Sequence, residues 1–129
     1  MSKRILVVDD EPALADTLVK IMRYAGYEPT AVYDAREALN FISTHQPALV
    51  ICDVVMPIMN GIELAIRIRS SNPNCRVLLL SGHAATHDLL ASARQQGYTF
   101  EILAKPVPPR ELLARISSML DNNCAAAAV

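Results

Sequence analysis

The 129-residue sequence lacks several features that would assign it to large protein classes. It has no apolar run near the length of about 20 residues that a membrane-spanning helix needs. Its formal net charge is −1, so no overall basic field attracts nucleic acid or an anionic membrane. The apolar stretch at residues 5–8 stops at Asp9 and Asp10, too early for a secretory signal peptide. We therefore expect a cytoplasmic protein that binds neither nucleic acid directly nor a membrane.

Cysteine is scarce as well. The three cysteines, Cys52, Cys75 and Cys124, have no metal-binding spacing. An odd number of cysteines fits a reducing compartment better than a disulfide framework. Cys52 and Cys75 lie in or beside apolar runs, so we expect both to be small core residues.

Short apolar runs alternate with longer amphipathic stretches along the chain. The runs are ILVV (5–8), PTAVY (29–33), ALVIC (48–52), RVLLL (76–80) and FEILA (100–104). Four of them are nearly continuous in apolar residues, as expected for strands covered on both faces. The second run begins with Pro29 and suits an edge strand.

The stretches between these runs have helical spacing and recognisable ends. Pro12 suits a first helical turn, Gly26 a helix end, and Asp34 with Glu37 a capping pair. Five strand–helix units predict an α/β fold with an open, doubly wound parallel sheet of flavodoxin-like order 2-1-3-4-5. We expect one domain over residues 1–121 and a disordered or frayed tail over 122–129.

Polar side chains stand where the predicted strands end. Asp9, Asp10 and Glu11 follow strand 1, and Asp53, Ser81 and Lys105 end strands 3, 4 and 5. In the order 2-1-3-4-5 these strands are neighbours, each about 4.8 Å from the next. The sequence therefore predicts one small site at the carboxyl edge of the sheet, where α/β proteins bind ligands.

Each of these residues also has an ordinary interpretation. Asp10 or Glu11 could cap the first helix, Asp53 could be a helix cap or turn residue, and Lys105 a solvated surface lysine. Taken together they suggest phosphoryl chemistry. Clustered carboxylates favour a hard cation such as Mg²⁺, and an aspartate can be either a metal ligand or a nucleophile that forms an aspartyl-phosphate.

Four segments in order carry a family resemblance: ILVVDDE, DVVMPIMNG, LLLSG and LAKP. With the repeated strand–helix pattern, the chain resembles a receiver domain of bacterial two-component response regulators from about Lys3 to Leu120. It is similar to a stand-alone, chemotaxis-regulator-like receiver or to a receiver cut from a longer protein, possibilities that the sequence leaves open.

The resemblance implies a role for each residue at the predicted edge. Asp53 matches the phosphoryl-accepting aspartate, Ser81 the switch hydroxyl and Lys105 the lysine that pairs with a phosphoryl oxygen. It implies a Mg²⁺ site formed by Asp10, Asp53, the backbone carbonyl of Val55 and, through water, Asp9. It further implies a cis peptide bond at Lys105–Pro106, while Gly82 leaves the aspartate accessible and His83 flanks the site.

The resemblance also implies a phosphorylation-controlled signalling domain. A sensor histidine kinase, a phosphotransfer protein or a small phosphodonor would supply the phosphoryl group, and a downstream protein or an output domain would respond. Self-catalysed transfer and autodephosphorylation would be its only chemistry, so it would not be an enzyme in the usual sense. A dimer that forms on phosphorylation is also compatible with the resemblance.

The sequence departs from the family pattern at the residue three positions before Lys105. The family usually has a rotating aromatic side chain there, and this chain has Ile102. Either Phe100, on the same strand face by alternation, replaces it or the aromatic switch is absent. This departure leaves open a second hypothesis, that of a degenerate receiver acting as a phosphorylation-independent adaptor.

Two enzymatic alternatives fit the residues less well. A flavin carrier would need a glycine-rich phosphate loop after strand 1, where this chain has the acidic segment DDEP. A haloacid-dehalogenase-like phosphatase would need a second acid two residues after its nucleophile, and Val55 occupies that position.

Overall fold

The computed structural model describes residues 3–82 and 86–128, in which strands and helices alternate. The strands are β1 (Arg4–Val8), β2 (Glu28–Val32), β3 (Leu49–Asp53), β4 (Arg76–Ser81) and β5 (Glu101–Ala104). The helices are α1 (Pro12–Tyr24), α2 (Ala35–His45), α3 (Gly61–Ser71), α4 (Thr86–Gln95) and α5 (Pro109–Ala128). All strand pairs are parallel, in the order β2-β1-β3-β4-β5. The predicted flavodoxin-like fold is confirmed.

Two apolar layers cover the sheet, because successive side chains of a strand point to opposite faces. Leu6, Val50 and Cys52 face the layer of α2, α3 and α4. Ile5 and Ile51 face the layer of α1 and α5. Burial on both faces explains why the central strands are nearly continuous in apolar residues. The predicted core positions of Cys52 and Cys75 are confirmed, since both are buried.

The helices begin and end at the predicted kinds of residue. The Asp34 side chain accepts a hydrogen bond from the Glu37 N–H at 2.8 Å, which caps α2. Asn60 caps α3 in the same way through the Glu63 N–H. Gly26 and Gly97 follow α1 and α4 with φ values of 98° and 92°, a left-handed conformation that favours glycine.

Helix α5 runs from Pro109 to Ala128, so the backbone of residues 122–128 is helical. This does not test whether the end of the helix frays, and the frayed or disordered tail over residues 122–129 stays a prediction. Four alanines follow Cys124, and alanine has the highest intrinsic helix propensity. No glycine or proline stands in this segment to stop the helix. Among the residues that the structure describes, no helix is both long and apolar enough to span a membrane.

The loop between β3 and α3 folds back on itself, so that the first residue of α3 contacts the end of β3. The Gly61 N–H donates to the Val54 carbonyl at 2.8 Å, and the Gly61 Cα packs against the backbone of Asp53. A Cβ at this position would overlap the Asp53 carbonyl oxygen and lie 2.9 Å from the Val54 Cα. Backbone atoms cannot yield as a flexible side chain can, so this close approach requires glycine.

We expect Gly61→Ala to lower the free energy of unfolding by about 1–3 kcal/mol, because the added methyl group must displace the backbone of β3 or α3. Urea unfolding followed by circular dichroism measures the loss. Gly82→Ala is the matched control, since a Cβ there meets only the Lys105 Cβ at 3.7 Å. Equal stabilities of the two variants would contradict the proposed overlap.

Candidate functional site

Three carboxylates converge at the carboxyl edge of the sheet. Asp9 and Asp10 follow β1, and Asp53 ends β3, which pairs directly with β1. One carboxylate oxygen from each lies within 4.8 Å of the other two. Asp9 and Asp53 are buried, whereas Asp10 is exposed. The structure thus brings together the three acidic residues that the sequence assigned to one site.

Lys105 supplies the positive charge beside this cluster. Its Nζ lies 3.0 Å from Asp53 Oδ2 and 3.5 Å from Asp9 Oδ2. Burial would lower the pKa of Lys105, but the hydrogen bond and the charge of Asp53, with the charge of Asp9, outweigh it and raise that pKa. Lys105 is therefore a paired, charged member of the site, and its interpretation as a solvated surface lysine is wrong.

The two oxygens of Asp9 have different environments. Oδ1 accepts a hydrogen bond from the Glu11 N–H at 2.9 Å. Oδ2 is buried and has the Lys105 ion pair at 3.5 Å but no hydrogen bond. Burial raises the pKa of Asp9, while the Glu11 N–H and Lys105 act in the opposite direction. Asp9 is thus a carboxylate whose negative charge is incompletely compensated.

At the start of α1, the side chain that accepts a backbone hydrogen bond is not that of the N-cap residue. Glu11 occupies the N-cap position, but its side chain makes no capping hydrogen bond. The hydrogen bond that orders this turn is made by Asp9 instead. The interpretation of Glu11 as a side-chain cap of α1 is therefore wrong. The carboxylate of Asp10 belongs to the acidic cluster with Asp9 and Asp53.

Asp53 is held by its own loop. The Val55 N–H donates to Asp53 Oδ1 at 3.3 Å, and the Val54 N–H donates to the Leu80 carbonyl at 3.0 Å. The side chain of Val55 is about half exposed. Asp53 is the last residue of a strand that precedes this loop, so its interpretation as a helix cap is wrong: Asn60 caps the following helix.

Ser81 ends β4 beside the strand that leads to Lys105. It is buried, pairs in register with Ala104, and its carbonyl accepts the Lys105 N–H at 2.9 Å. The Lys105–Pro106 bond is cis, as the family resemblance implied. Gly82 is exposed, and His83 lies outside the described residues.

The donor set of this edge fits a hard divalent cation. Three carboxylates face the single ammonium of Lys105, and oxygen ligands are those that Mg²⁺ prefers. Among the described residues, the partner of the buried Asp9 Oδ2 is the Lys105 ammonium at 3.5 Å, a distance longer than that between Lys105 and Asp53. A cation would compensate this oxygen and relieve the repulsion among the carboxylates.

The two residues considered for an aromatic switch lie on the face covered by α2, α3 and α4. Ile102 pairs in register with Leu79, two residues before Ser81. Phe100 precedes β5, a further two residues from the site, and is buried. The guanidinium of Arg69 lies 5.3 Å from its ring centroid, so Phe100 has a packing role between α3 and β5.

Sequence reasoning missed two features of the loop over residues 54–60. One is the close approach of Gly61 to Asp53, for which a glycine directly after the capping Asn60 was the available signal. The other is Ile58, which has a φ of 72° and a fully exposed side chain. No residue pattern predicts an isoleucine in the left-handed region, where it is a strained outlier.

Comparison with known proteins agrees with this geometry. The family model described as the response regulator receiver domain matches residues 5–117. The chain belongs to the response regulator receiver domain family. This receiver domain is 32% identical over 123 residues to the DNA-binding response regulator MtrA of Mycolicibacterium smegmatis, covering 95% of this chain and 53% of that protein. It is 34% identical to the probable transcriptional regulatory protein TcrX of Mycobacterium tuberculosis, covering 90% of this chain and 49% of that protein.

Solved structures place the receiver domain in the same fold. A CheY-like receiver domain protein from Methanospirillum hungatei superimposes with a TM-score of 0.88 at 29% identity, covering 98% of this chain and 99% of that chain. Chemotaxis protein CheY4 of Vibrio cholerae gives a TM-score of 0.81 at 26% identity, covering 92% and 99%. The chain spans about half the length of the curated relatives it matches.

We expect Asp9→Asn to raise the free energy of unfolding in metal-free buffer by about 0.5–2 kcal/mol. Asparagine keeps an oxygen for the Glu11 N–H but removes the buried charge. Because folding raises the pKa of Asp9, protonation favours the folded state. The stability that Asp9→Asn gains over the wild type is therefore largest when the pH is above the pKa of Asp9 in the folded protein. The gain shrinks as the pH falls towards 3.8, the ordinary pKa of an aspartate.

Urea unfolding of the wild type and Asp9→Asn across this pH range measures the effect. Asp121→Asn, which replaces an exposed acid on α5, is the control and should change stability little at any pH. A loss of stability in Asp9→Asn that does not depend on pH would contradict the uncompensated charge.

Proposed function

We propose that this receiver domain accepts a phosphoryl group on Asp53, with Mg²⁺, and that the phosphorylated state controls a downstream protein or an output domain. The donor is a sensor histidine kinase, a phosphotransfer protein or a small phosphodonor. The observation that carries the proposal is the position of Lys105 Nζ, 3.0 Å from a carboxylate oxygen of Asp53 at the centre of the acidic cluster.

The transfer is a substitution at phosphorus. A carboxylate oxygen of Asp53 forms a bond to the phosphorus atom, and the bond from phosphorus to the donor nitrogen or oxygen breaks. The leaving group keeps the electron pair of the broken bond. Lys105, placed beside Asp53, pairs with the negative charge of the phosphoryl oxygens.

The acidic residues account for the metal requirement. Asp10, Asp53 and the backbone carbonyl of Val55 would hold Mg²⁺, with Asp9 acting through water. Bound Mg²⁺ supplies positive charge that neutralises the carboxylates and the phosphoryl oxygens. Without it, the approach of an anionic phosphoryl group to three carboxylates is unfavourable.

Two residues of neighbouring strands connect phosphorylation with conformation. Ser81 and Lys105 are linked through a backbone hydrogen bond of 2.9 Å between β4 and the end of β5. Contacts of their side chains with the phosphoryl group exist only after transfer, so they shift the population between two conformations of this edge. With Ile102 in place of an aromatic residue, the shift is expressed without a rotating ring.

Acetyl phosphate with Mg²⁺ should add one phosphoryl group to the wild type, and intact-mass spectrometry measures the addition. Asp53→Ala should show none, because the accepting carboxylate is absent. Asp121→Asn is the matched control and should be labelled like the wild type. Chelation of Mg²⁺ with EDTA should abolish labelling, and equal labelling of wild type and Asp53→Ala would refute the assignment.

A second candidate, the phosphorylation-independent adaptor, rests on Ile102. The Ile102 side chain is partly buried against the layer of α2, α3 and α4. This position therefore lacks the rotating aromatic ring that the family usually has. Under this hypothesis, a downstream partner binds wild type and Asp53→Ala with equal affinity in the presence of phosphodonor and Mg²⁺. Under the leading proposal, phosphodonor changes the affinity of the wild type alone.

A further inference from the structure

A cavity lies at the amino edge of the sheet, opposite to the acidic cluster. Its volume is about 450 Å³, within the range that is typical of sites for small organic ligands. Arg4 and Glu28 line this amino-edge cavity where β1 and β2 begin, and Phe41 and His45 line it from α2. β1 has five residues, so about 17 Å of strand separates the cavity from Asp9. The amino-edge cavity is therefore separate from the site of the proposed phosphoryl transfer.

Two guanidinium groups, those of Arg4 and Arg23, line the amino-edge cavity. Arg23 is exposed, and its side chain forms no ion pair with another residue that the structure describes. Arg4 Nη1 donates to the His45 carbonyl at 3.2 Å. A guanidinium has several N–H donors, so Arg4 can serve the end of α2 and a ligand together. Paired guanidinium groups are suited to phosphate and carboxylate oxygens.

The charges around this cavity also favour an anion. Cations are frequent where strands begin and helices end: Lys3, Arg4, Arg23, Arg69, Arg76 and Arg94. The first turns of four helices, at the opposite edge, carry acids: Glu37, Glu63, Asp88 and Glu111. Basic residues in last turns stabilise helices, but this does not account for the cations that precede or begin strands. The separation of charge attracts a small anion towards the amino edge.

One wall of the amino-edge cavity is aromatic. The rings of Phe41 and His45 stack with centroids 4.4 Å apart and an interplanar angle of 10°. Phe41 is partly buried and packs against the core layer of α2, α3 and α4, whereas His45 is exposed. Because Phe41 supports one face of the His45 ring, the other face is a fixed platform for a flat ring of a ligand.

The exposed side chains of Glu28 and Thr30 supply hydrogen-bonding groups without positive charge. Both belong to β2, which is an edge strand, so no further strand covers them. An acidic side chain beside a nucleotide accepts hydrogen bonds from ribose hydroxyls. Glu28 would repel a ligand that consists only of phosphate. A neutral nucleoside would leave the guanidinium groups of Arg4 and Arg23 without an anion.

We infer that the amino-edge cavity binds a purine ribonucleotide, with its base on His45, its phosphate groups at Arg4 and Arg23, and its ribose beside Glu28. A purine offers a larger ring face for stacking than a pyrimidine does. The inference does not depend on phosphorylation of Asp53. It gives the domain a second ligand, bound at the edge of the sheet opposite to the acidic cluster.

Isothermal titration calorimetry of the 129-residue chain with ADP and GDP tests the inference. The buffer contains EDTA, which prevents binding of the nucleotide through Mg²⁺ at the acidic cluster. We expect at least one of the two nucleotides to bind with a stoichiometry of one. The matching nucleoside lacks the phosphates and pyrophosphate lacks the base, so each should bind at least about tenfold more weakly. Equal affinity for pyrophosphate, or no binding of either nucleotide, would overturn the inference.

Charge removal tests the phosphate contact. Arg23→Gln should weaken nucleotide binding by about ten- to hundredfold, as expected when a charge-assisted hydrogen bond is lost. Arg67→Gln is the matched control, since it removes the same charge from an exposed position of α3 outside the cavity. Its affinity should stay within about twofold of the wild type. Equal affinities of the two variants would contradict the role of Arg23.

Substitution of His45 tests the stacking contact. His45→Ala removes the ring but keeps the carbonyl that accepts the hydrogen bond from Arg4, and it should weaken binding by about fivefold or more. His45→Phe restores an aromatic face and should bind within about threefold of the wild type. Equal losses in both variants would contradict stacking.

Two further measurements locate the nucleotide. In ¹H–¹⁵N correlation spectra, ADP or GDP should shift the amide signals of Arg4, Tyr27, Thr30 and His45, which line the cavity. Shifts confined to residues 9–11 and 105 would place the nucleotide at the acidic cluster and overturn the inference. Acetyl phosphate with Mg²⁺ should label Arg23→Gln like the wild type, and a loss of labelling would contradict the separation of the two sites.

Discussion

The crowding of negative charge at one edge of the sheet is the constraint on which the rest of the structure depends. Three carboxylate oxygens lie within 4.8 Å of one another, and one ammonium group balances them. Carboxylates at such distances repel each other, and burial adds to the cost for Asp9, whose pKa is raised. Burial of the two apolar layers that cover the sheet stabilises the fold, so that it tolerates the electrostatic repulsion among the carboxylates at this edge.

Much of the architecture follows from sequence patterns that report burial. Continuous apolar runs indicated central strands, because β1, β3 and β4 are covered on both faces, and Pro29 correctly indicated an edge strand. Strand order then placed Asp9, Asp10, Asp53 and Lys105 together, since parallel strands end at one edge. Residue types at strand ends are therefore sufficient to predict which side chains meet.

Other features depend on backbone geometry that residue types do not encode. The proximity of Gly61 to Asp53 and the left-handed turn at Ile58 arise from how residues 54–60 return to the strand end. The helical backbone of residues 122–128 fits the high helix propensity of the alanines that follow Cys124. The local environment of Phe100 depends on Arg69, which is distant in sequence.

These geometric features have a common location. The loop between β3 and α3 begins at Asp53, the residue proposed to accept the phosphoryl group, and Gly61 closes it against the backbone of the same residue. Ile58 and Val55 of this loop are exposed to solvent.

The most direct measurement of the central claim is the position of the acyl phosphate. Borohydride reduces an aspartyl phosphate to homoserine, and peptide mapping by mass spectrometry after labelling with acetyl phosphate and Mg²⁺ locates that residue. We expect homoserine at position 53 alone, and aspartate retained at positions 9 and 10. Homoserine at position 9 or 10, or its absence from position 53 in a labelled protein, would contradict the account.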